Sequence, residues 1–416
     1  MRITMLTIGS TGDVRPYILL GRELVSRGHT ITIATFSHFQ NLIEKEGLGF
    51  FPLSGDAEKL MASIMSPSSN SLTYLPRLER ALKSVAPQLI QDMSDSCASA
   101  DAMICNFFGS VYYSIAEKYK IPCIQTQFFP MDPTREQPIS PVSSQRLGAF
   151  LNESTYKLGY LLISSVERRY VNPWRKQNGI SPRRIRSYPD YRAGGHSIPV
   201  IYAVSPLIMP RPADWGPNIR MSGFWFDESP VSWLPPPDLE DFISRESVPP
   251  IYIGFGSMTG RNMKKLMAIV LHSLHASNIR AVVDLGWSGV QLKSNHAVYF
   301  SHYIPHDWLF PRVRAVVHHG GAGTTAAGLR YGKPTLVIPF AGDQSFWANR
   351  VWKSGCGPRP ISRDQLNIHN MTKALLDLNN HCSRYTQAAE IIMKGLSQEH
   401  GVSTAADMIE AEIAGW

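Results

Sequence analysis

Three glycines separate an apolar, β-branched run from a helix-forming stretch in Val317-His318-His319-Gly320-Gly321-Ala322-Gly323-Thr324-Thr325-Ala326-Ala327. Helix N-termini carry unpaired N–H groups and partial positive charge, so a strand–glycine–helix junction is a seat for an anion. Thr324 and Thr325 add hydroxyl donors, and a histidine at the strand end adds an N–H. The competing reading is a tight turn whose glycines serve packing alone. A second glycine loop, Gly254-Phe255-Gly256-Ser257, ends another expected strand in the same half of the chain. On one sheet edge, the amides of two such loops can converge on one diphosphate. Neither loop is a Walker motif, because no Gly-Lys-Ser/Thr follows, and the dinucleotide spacing Gly-x-Gly-x-x-Gly is missing. No acidic residue sits just after the strand expected over 30–35 to hold a ribose, which argues against a nicotinamide-linked oxidoreductase.

Two carboxylates stand out beside these loops. Asp13 lies in Gly9-Ser10-Thr11-Gly12-Asp13. With an ordinary pKa of ~3.9 it is ionised at neutral pH and can accept a proton from a bound hydroxyl. A helix N-cap is an equally sufficient reason for an aspartate here. Asp343 and Gln344, in Pro339-Phe340-Ala341-Gly342-Asp343-Gln344, set a carboxylate and an amide after a strand. That pair suits adjacent hydroxyls of a sugar, although a polar loop start explains it as well. No two aspartates are separated by a single residue, the pattern with which many metal-dependent sugar transferases hold a divalent ion, so no metal is expected. A leaving diphosphate would then be neutralised by amides, hydroxyls and a helix dipole.

These residues need a scaffold, and the pattern is α/β. A strand over 3–8, a helix with Tyr17, Leu20, Gly21, Leu24 and Val25 on one face, and a strand over 30–35 make a βαβ unit, hence a parallel sheet. Pro16 fits the first turn of that helix and Gly28 its end. Strands over 102–106 and 122–127 flank a helix over 111–119. A loop over 131–148, punctuated by Pro133, Pro138 and Pro141, leads to an aromatic-rich helical stretch over 154–174. From Pro206 to Pro250 ten prolines crowd a segment that reads as an interdomain linker, neither helix interior nor central strand. The pattern then restarts with strands over 251–255, 280–285, 297–300, 315–318 and 335–339 and a helix over 264–277. The expected division is an acceptor-binding domain over 1–205, a linker over 206–249, a nucleotide-sugar domain over 250–395, and a C-terminal helix over 396–416 free to cross back to the first domain. Such sheets bind ligands at the carboxyl ends of their strands, so two of them imply a cleft.

Composition narrows the partners. Of 416 residues, 44% are hydrophobic and 18% charged, and 41 basic against 33 acidic side chains give a net charge of +8. That balance favours anionic partners. Nucleic acid needs clustered basic stripes, and only short ones such as Arg183, Arg184 and Arg186 occur, so none is expected. Five scattered cysteines suit a reducing compartment better than a disulfide framework or a zinc site. No signal peptide is read at the N-terminus, and no apolar run approaches the ~20 residues that span a bilayer. A soluble, cytoplasmic protein is expected, with basic charge and tryptophans that allow loose peripheral contact with a membrane.

Residues 318–325, with Gly328, Pro334, Pro339 and Asp343-Gln344, resemble the donor-binding signature of family-one glycosyltransferases with the GT-B fold. More narrowly the chain is similar to sterol and triterpenoid glucosyltransferases and to vancomycin-type antibiotic glycosyltransferases. Four stretches carry the closer likeness: Gly9-Ser10-Thr11-Gly12-Asp13-Val14-Arg15-Pro16, Tyr252-Ile253-Gly254-Phe255-Gly256-Ser257-Met258, Pro305-His306-Asp307-Trp308-Leu309-Phe310 and Gly342-Asp343-Gln344-Ser345-Phe346-Trp347.

The resemblance implies two doubly wound Rossmann-like domains facing across a cleft. It also implies an inverting, metal-independent transfer of a sugar, glucose from UDP-glucose, to a hydroxyl of a sterol, triterpenoid or polyketide. In that family the aspartate matching Asp13 is the base. Tyr303 would stack on the nucleobase and the Ile304 backbone pair with it. His319, Gly321, Gly323 and Thr324, with Ser257, would contact the phosphates, and Asp343 and Gln344 the donor sugar. Ala327 stands where plant relatives carry a glutamate for the ribose, and residues 131–174 match only loosely, which leaves the acceptor open. Two alternatives stand beside this one: another donor (UDP-xylose or a dTDP-deoxysugar) in secondary metabolism, and a nucleotide-sugar-binding partner protein without turnover.

Overall fold

The computed structural model describes residues 1–55, 71–106, 110–139, 147–183, 192–193, 195–229, 232–256, 261–286 and 292–416. The chain divides into two compact units. The first comprises Met1–Pro206, Pro210–Asp227 and His400–Trp416, the second Leu207–Met209 and Glu228–Glu399.

The first unit is built on β1 (Arg2–Leu6), β2 (Thr30–Phe36), β3 (Gly49–Leu53), β4 (Ala102–Cys105) and β5 (Cys123–Gln127), a small hairpin of β6 (Arg192–Ala193) and β7 (His196–Ser197), then β8 (Val200–Tyr202) and β9 (Ile219–Met221). Its main sheet has the order β3-β2-β1-β4-β5-β8-β9, every pair parallel. Every residue of β4 and β5 is buried, as expected for central parallel strands covered on both faces. The helix Thr11–Ser26 buries Val14, Tyr17, Ile18, Leu20, Gly21 and Leu24, whereas Val25, in its last turn, is 41% exposed. This helix starts at Thr11, so Pro16 sits in its second turn rather than its first and leaves the Gly12 carbonyl without its usual N–H. The helical stretch after the 131–148 loop is Ala149–Val166, a π turn at Glu167–Val171, and Asn172–Gln177.

The C-terminal helix Gly401–Ala414 belongs to this first unit. Ala405, Ala406, Ile409 and Ile413 join the core around β1. Arg27, at the end of the helix Thr11–Ser26, reaches Asp407 at 2.5 Å and Glu410 at 2.8 Å. Gly401 lies against the Phe224 carbonyl, 2.1 Å from where a Cβ would be, so a larger residue cannot stand there.

The Pro-rich segment is more structured than a linker. Ile219–Met221 forms the edge strand β9, a position that tolerates prolines on either side. Pro237–Ser244 is a helix with Pro236 at its N-cap and Pro237 at its first position, where no N–H is needed. Its Leu239 and Phe242 pack in the second unit with Trp308 and Phe310.

The second unit carries β10 (Ile251–Gly254), β11 (Ala281–Asp284), β12 (Val298–Ser301), β13 (Val316–His318) and β14 (Thr335–Val337) in the parallel order β12-β11-β10-β13-β14. In both sheets the chain reverses its direction of winding beside the first strand, between β1 and β4 and between β10 and β13. Loops at such switch points diverge and leave room for a ligand. The three glycine loops singled out above follow β1, β10 and β13. No helix among the described residues is long and apolar enough to cross a membrane.

Candidate functional site

After β1 the chain turns through Gly9, whose φ is 153°. A Cβ there would lie 2.2 Å from Asp13 Oδ2, so glycine is what lets the carboxylate fold back over the turn. Asp13 is the third residue of its helix, and its Oδ2 accepts the Ser10 N–H at 2.7 Å and the Ser10 hydroxyl at 3.0 Å. The carboxylate thus closes on the N-cap residue at the positive end of its own helix. Burial raises the proton affinity of Asp13 above the ordinary carboxylate value, and the two Ser10 hydrogen bonds oppose that rise. One turn further, Tyr17 is fully buried and shares a 2.5 Å hydrogen bond with Thr126. Its ring meets Phe128 edge-on at 5.8 Å and Trp225 at 6.3 Å. The helix that carries Asp13 thus packs its next turn, at Tyr17, on aromatic side chains.

In the second unit the loops after β10 and β13 meet on one imidazole. A Cβ on Gly256 would be 3.0 Å from His319 Cε1, and one on Gly321 would be 2.6 Å from His319 Nε2. The ring is held between two glycines, and burial lowers its pKa to about 4, opposed by the Gly254 backbone. His319 is therefore neutral at physiological pH rather than a cation, and its Nδ1 is buried with no hydrogen-bond partner among the described residues. Beyond it, Gly321 caps the helix Ala322–Arg330, which has no acidic residue in its first turn. Thr325 is fully buried and gives its hydroxyl to the Gly321 carbonyl at 2.9 Å, which removes it from ligand duty. Gly323 is exposed and a Cβ there would meet nothing within 4 Å.

The neighbouring loops close around this seat. A Cβ on Gly320 (φ +92) would meet the Gln344 carbonyl oxygen at 2.9 Å, which brings residues 343–344 alongside. A Cβ on Gly286 would meet the Gly256 carbonyl oxygen at 2.5 Å, and the Gly286 carbonyl lies 3.2 Å from His302 Nδ1. Next to His302, Tyr303 is 62% exposed and Ile304 buried. This chain of contacts gathers Tyr303, Ile304, His319, Gly321, Gly323, Thr324, Asp343 and Gln344 at one end of the second sheet. Ser257 lies outside the described residues. Sequence reasoning missed the brace beneath: Tyr252 donates to Asp284 Oδ2 at 3.2 Å and the Gly286 N–H to Asp284 Oδ1 at 2.8 Å. Among the described residues no three His, Cys, Asp or Glu side chains form a metal-holding group.

Residues 3–138 match the glycosyltransferase family 28 N-terminal domain, and residues 289–410 the erythromycin biosynthesis protein CIII-like C-terminal domain. The chain is 33% identical to the sterol 3-beta-glucosyltransferase UGT80B1 of Arabidopsis thaliana, over 98% of this chain and 67% of that one. The chain belongs to that glycosyltransferase family. It is also 35% identical to the sterol 3-beta-glucosyltransferase UGT80A2 of the same plant over 97% of its length, and 34% identical to that of Candida albicans over 99%. It spans 64% of the first relative and 28% of the second. Its fold is GT-B: the kitacinnamycin glycotransferase superposes with a TM-score of 0.71 at 17% identity, covering 99% of both chains. The calicheamicin glycosyltransferase CalG4 gives 0.68 at 15%, over 99% of this chain and 98% of that one.

Within this family member, two of the expected sugar contacts are partly engaged by the protein itself. Gln344 is buried, and its Oε1 accepts the Phe340 and Ala341 N–H groups at 2.7 and 3.0 Å, so only its amide nitrogen is left for a ligand. Asp343 Oδ2 accepts the Trp347 indole N–H at 2.7 Å. Both arrangements fix the side chains before any ligand arrives. A further buried carboxyl, Asp132 of the first unit, accepts the Tyr202 hydroxyl at 2.5 Å, and burial raises its pKa to about 7. In the sequence it is one aspartate in a proline-punctuated loop, with nothing to mark it as buried.

Proposed function

We propose that the protein transfers glucose from UDP-glucose to a hydroxyl of a sterol or similarly hydrophobic acceptor, with inversion and without a metal. The observation that carries this reading is the convergence of the two glycine loops of the second unit on His319. It leaves an uncharged polar ring, the half-buried Thr324 hydroxyl and a helix N-terminus free of carboxylates at one switch point. Those groups match the needs of a leaving diphosphate. Tyr303 offers an exposed ring for the nucleobase, Ile304 its backbone, and Asp343 with Gln344 the sugar contacts. Ser257 is included by its place in the loop after β10.

In this reading the first unit supplies Asp13 as the base. The carboxylate takes the acceptor's hydroxyl proton while the acceptor oxygen bonds to the anomeric carbon. The bond from that carbon to the diphosphate oxygen breaks, and the electron pair leaves with the diphosphate. The raised proton affinity of Asp13 suits a base, and Tyr17, Phe128 and Trp225 give its surroundings the apolar character that a sterol needs. The relatives named above are sterol glucosyltransferases, which favours glucose and a sterol.

The test is product analysis by mass spectrometry and NMR with UDP-glucose and a panel of sterol, triterpenoid, polyketide and phenolic acceptors. A β-linked sterol glucoside is expected. Faster transfer from a dTDP-sugar, the donor class suggested by structural neighbours solved with thymidine diphosphate, would replace the UDP-glucose assignment. Binding of UDP-glucose without transfer to any acceptor would make the protein a nucleotide-sugar-binding partner instead. We also propose a cytoplasmic setting, consistent with five unpaired cysteines, and loose contact of this basic protein with an acidic membrane that holds the acceptor. Failure to co-sediment with acidic liposomes at low salt would remove the membrane contact.

A further inference from the structure

Of the two adjacent histidines in the β13 loop, only His319 lies against the seat. His318 is fully buried at the last position of β13, and its carbonyl still takes the Ile338 N–H at 2.8 Å in the sheet ladder. Its side chain turns forward, and Nδ1 accepts the Gly320 N–H at 2.9 Å. An Nδ1 that accepts a hydrogen bond carries no proton, so the neutral ring bears its hydrogen on Nε2. Burial and the neighbouring His319 and His306 hold the imidazole well below its ordinary pKa, which keeps it in that form.

Two features separate this histidine from a core filler. Its Nε2 is buried and has no hydrogen-bond partner among the described residues, an unfavourable state that an apolar side chain of similar size would avoid. The glycine it holds is confined from the other side. Gly320 has φ +92, and a Cβ would stand 2.7 Å from Val337 Cγ1 and 2.9 Å from the Gln344 carbonyl oxygen. The turn is therefore gripped from inside by Nδ1 and from outside by β14 and residue 344. The next residues along are His319, Gly321 and the first amides of the helix Ala322–Arg330.

We infer that His318 is a positioning residue for the nucleotide-sugar seat: by engaging the Gly320 amide inward it sets the turn that places His319 and the free amides before the diphosphate, and it does not itself touch the ligand. The inference rests on the proposed donor site. It predicts which residue can replace His318. Asparagine Oδ1 stands as many bonds from Cα as histidine Nδ1 and makes the same forward bond to the second N–H along the chain. Glutamine is one bond too long, and leucine fills the space without an acceptor.

The experiment compares His318→Asn, His318→Gln and His318→Leu by UDP-glucose calorimetry, steady-state kinetics and thermal melting, with the wild-type ring nitrogens and Gly320 amide followed by NMR. Asn should keep UDP-glucose affinity within about threefold, while Gln and Leu weaken it by about tenfold or more, the worth of one hydrogen bond. The loss should appear in KM for the donor rather than in kcat, and Leu should melt no lower than Asn. Equal affinity of all three variants, or an Asn variant no better than Leu, overturns the role. Should the variants fail to fold, the wild-type spectrum decides: an Nε2–H tautomer with a slowly exchanging Gly320 amide sustains the turn, and an Nδ1–H or protonated ring refutes it. Wild-type protein that shows this tautomer yet binds no UDP-glucose would refute the donor-site reading and leave the turn intact.

Discussion

The loop after β1 and the loop after β13 share one local design and use it oppositely. Each runs from a buried strand through glycines into a helix N-terminus at the switch point of a parallel sheet. In the first unit, Asp13 folds back over Gly9 and Ser10 and fills the positive end of its own helix. In the second, the first turn has no acidic residue, and the ring between the glycines is a neutral imidazole. One junction carries an anion of its own, and the other carries none; in the proposed function the second receives the diphosphate. The difference lies in side chains, Ser10 at the N-cap and Asp13 at the third helical position against Gly321 and Thr324 at the corresponding ones.

The largest way to break this comparison is Asp13→Asn. Removing the base should lower kcat by about a hundredfold to ten-thousandfold, measured with saturating UDP-glucose and a sterol acceptor. Turnover near the wild-type rate would reduce Asp13 to a capping residue. Next in size is Gly321→Ala, whose Cβ would stand 2.6 Å from His319 Nε2. The displaced ring should weaken UDP-glucose binding by about tenfold, the value of one well-placed hydrogen bond, read by calorimetry.

Gly323→Ala sharpens the contrast because a Cβ there meets open space. The variant should melt about 1–2 °C higher from reduced unfolded-state entropy, while its KM for UDP-glucose rises. A higher Tm with unchanged KM would show that the ligand does not approach Gly323. The smallest expected effect is a flat line. With His319 titrating at about 4, UDP-glucose affinity should not change between pH 5.5 and 8, because the diphosphate diester has no proton to lose in this range. The acid limb of kcat/KM should lie above the ordinary aspartate value, since the Asp13 pKa is raised and activity falls as its carboxylate takes up a proton. Affinity that falls as pH rises through 6.5 would instead demand a cationic histidine.

Much of this was legible in the residues. Apolar β-branched runs followed by glycine marked β1, β10 and β13, and strand–helix alternation implied parallel sheets, because those signals are local. Asp13 and the two glycine loops of the second unit stood out for the same reason. The fate of hydrogen-bonding groups was not legible. That Gln344 turns its carbonyl oxygen onto the Phe340 and Ala341 amides, or that Thr325 bonds Gly321, depends on backbone paths that spacing does not encode. Adjacent histidines look alike in sequence, and only their contacts separate them: His318 Nδ1 takes the Gly320 N–H, while the His319 ring lies between Gly256 and Gly321. Proline density misled as well: β9 and the helix Pro237–Ser244 occupy positions where a missing N–H costs little, so composition alone suggested a linker.

The most direct measurement is a crystal structure of the protein with UDP bound. The expected result is diphosphate density against His319, Thr324 and the amides that open the helix Ala322–Arg330, with nothing at the N-terminus of the helix Thr11–Ser26, where Asp13 already stands. Diphosphate seated beside Ser10 and Asp13, or bound away from both glycine junctions, would contradict the division of labour between the two loops.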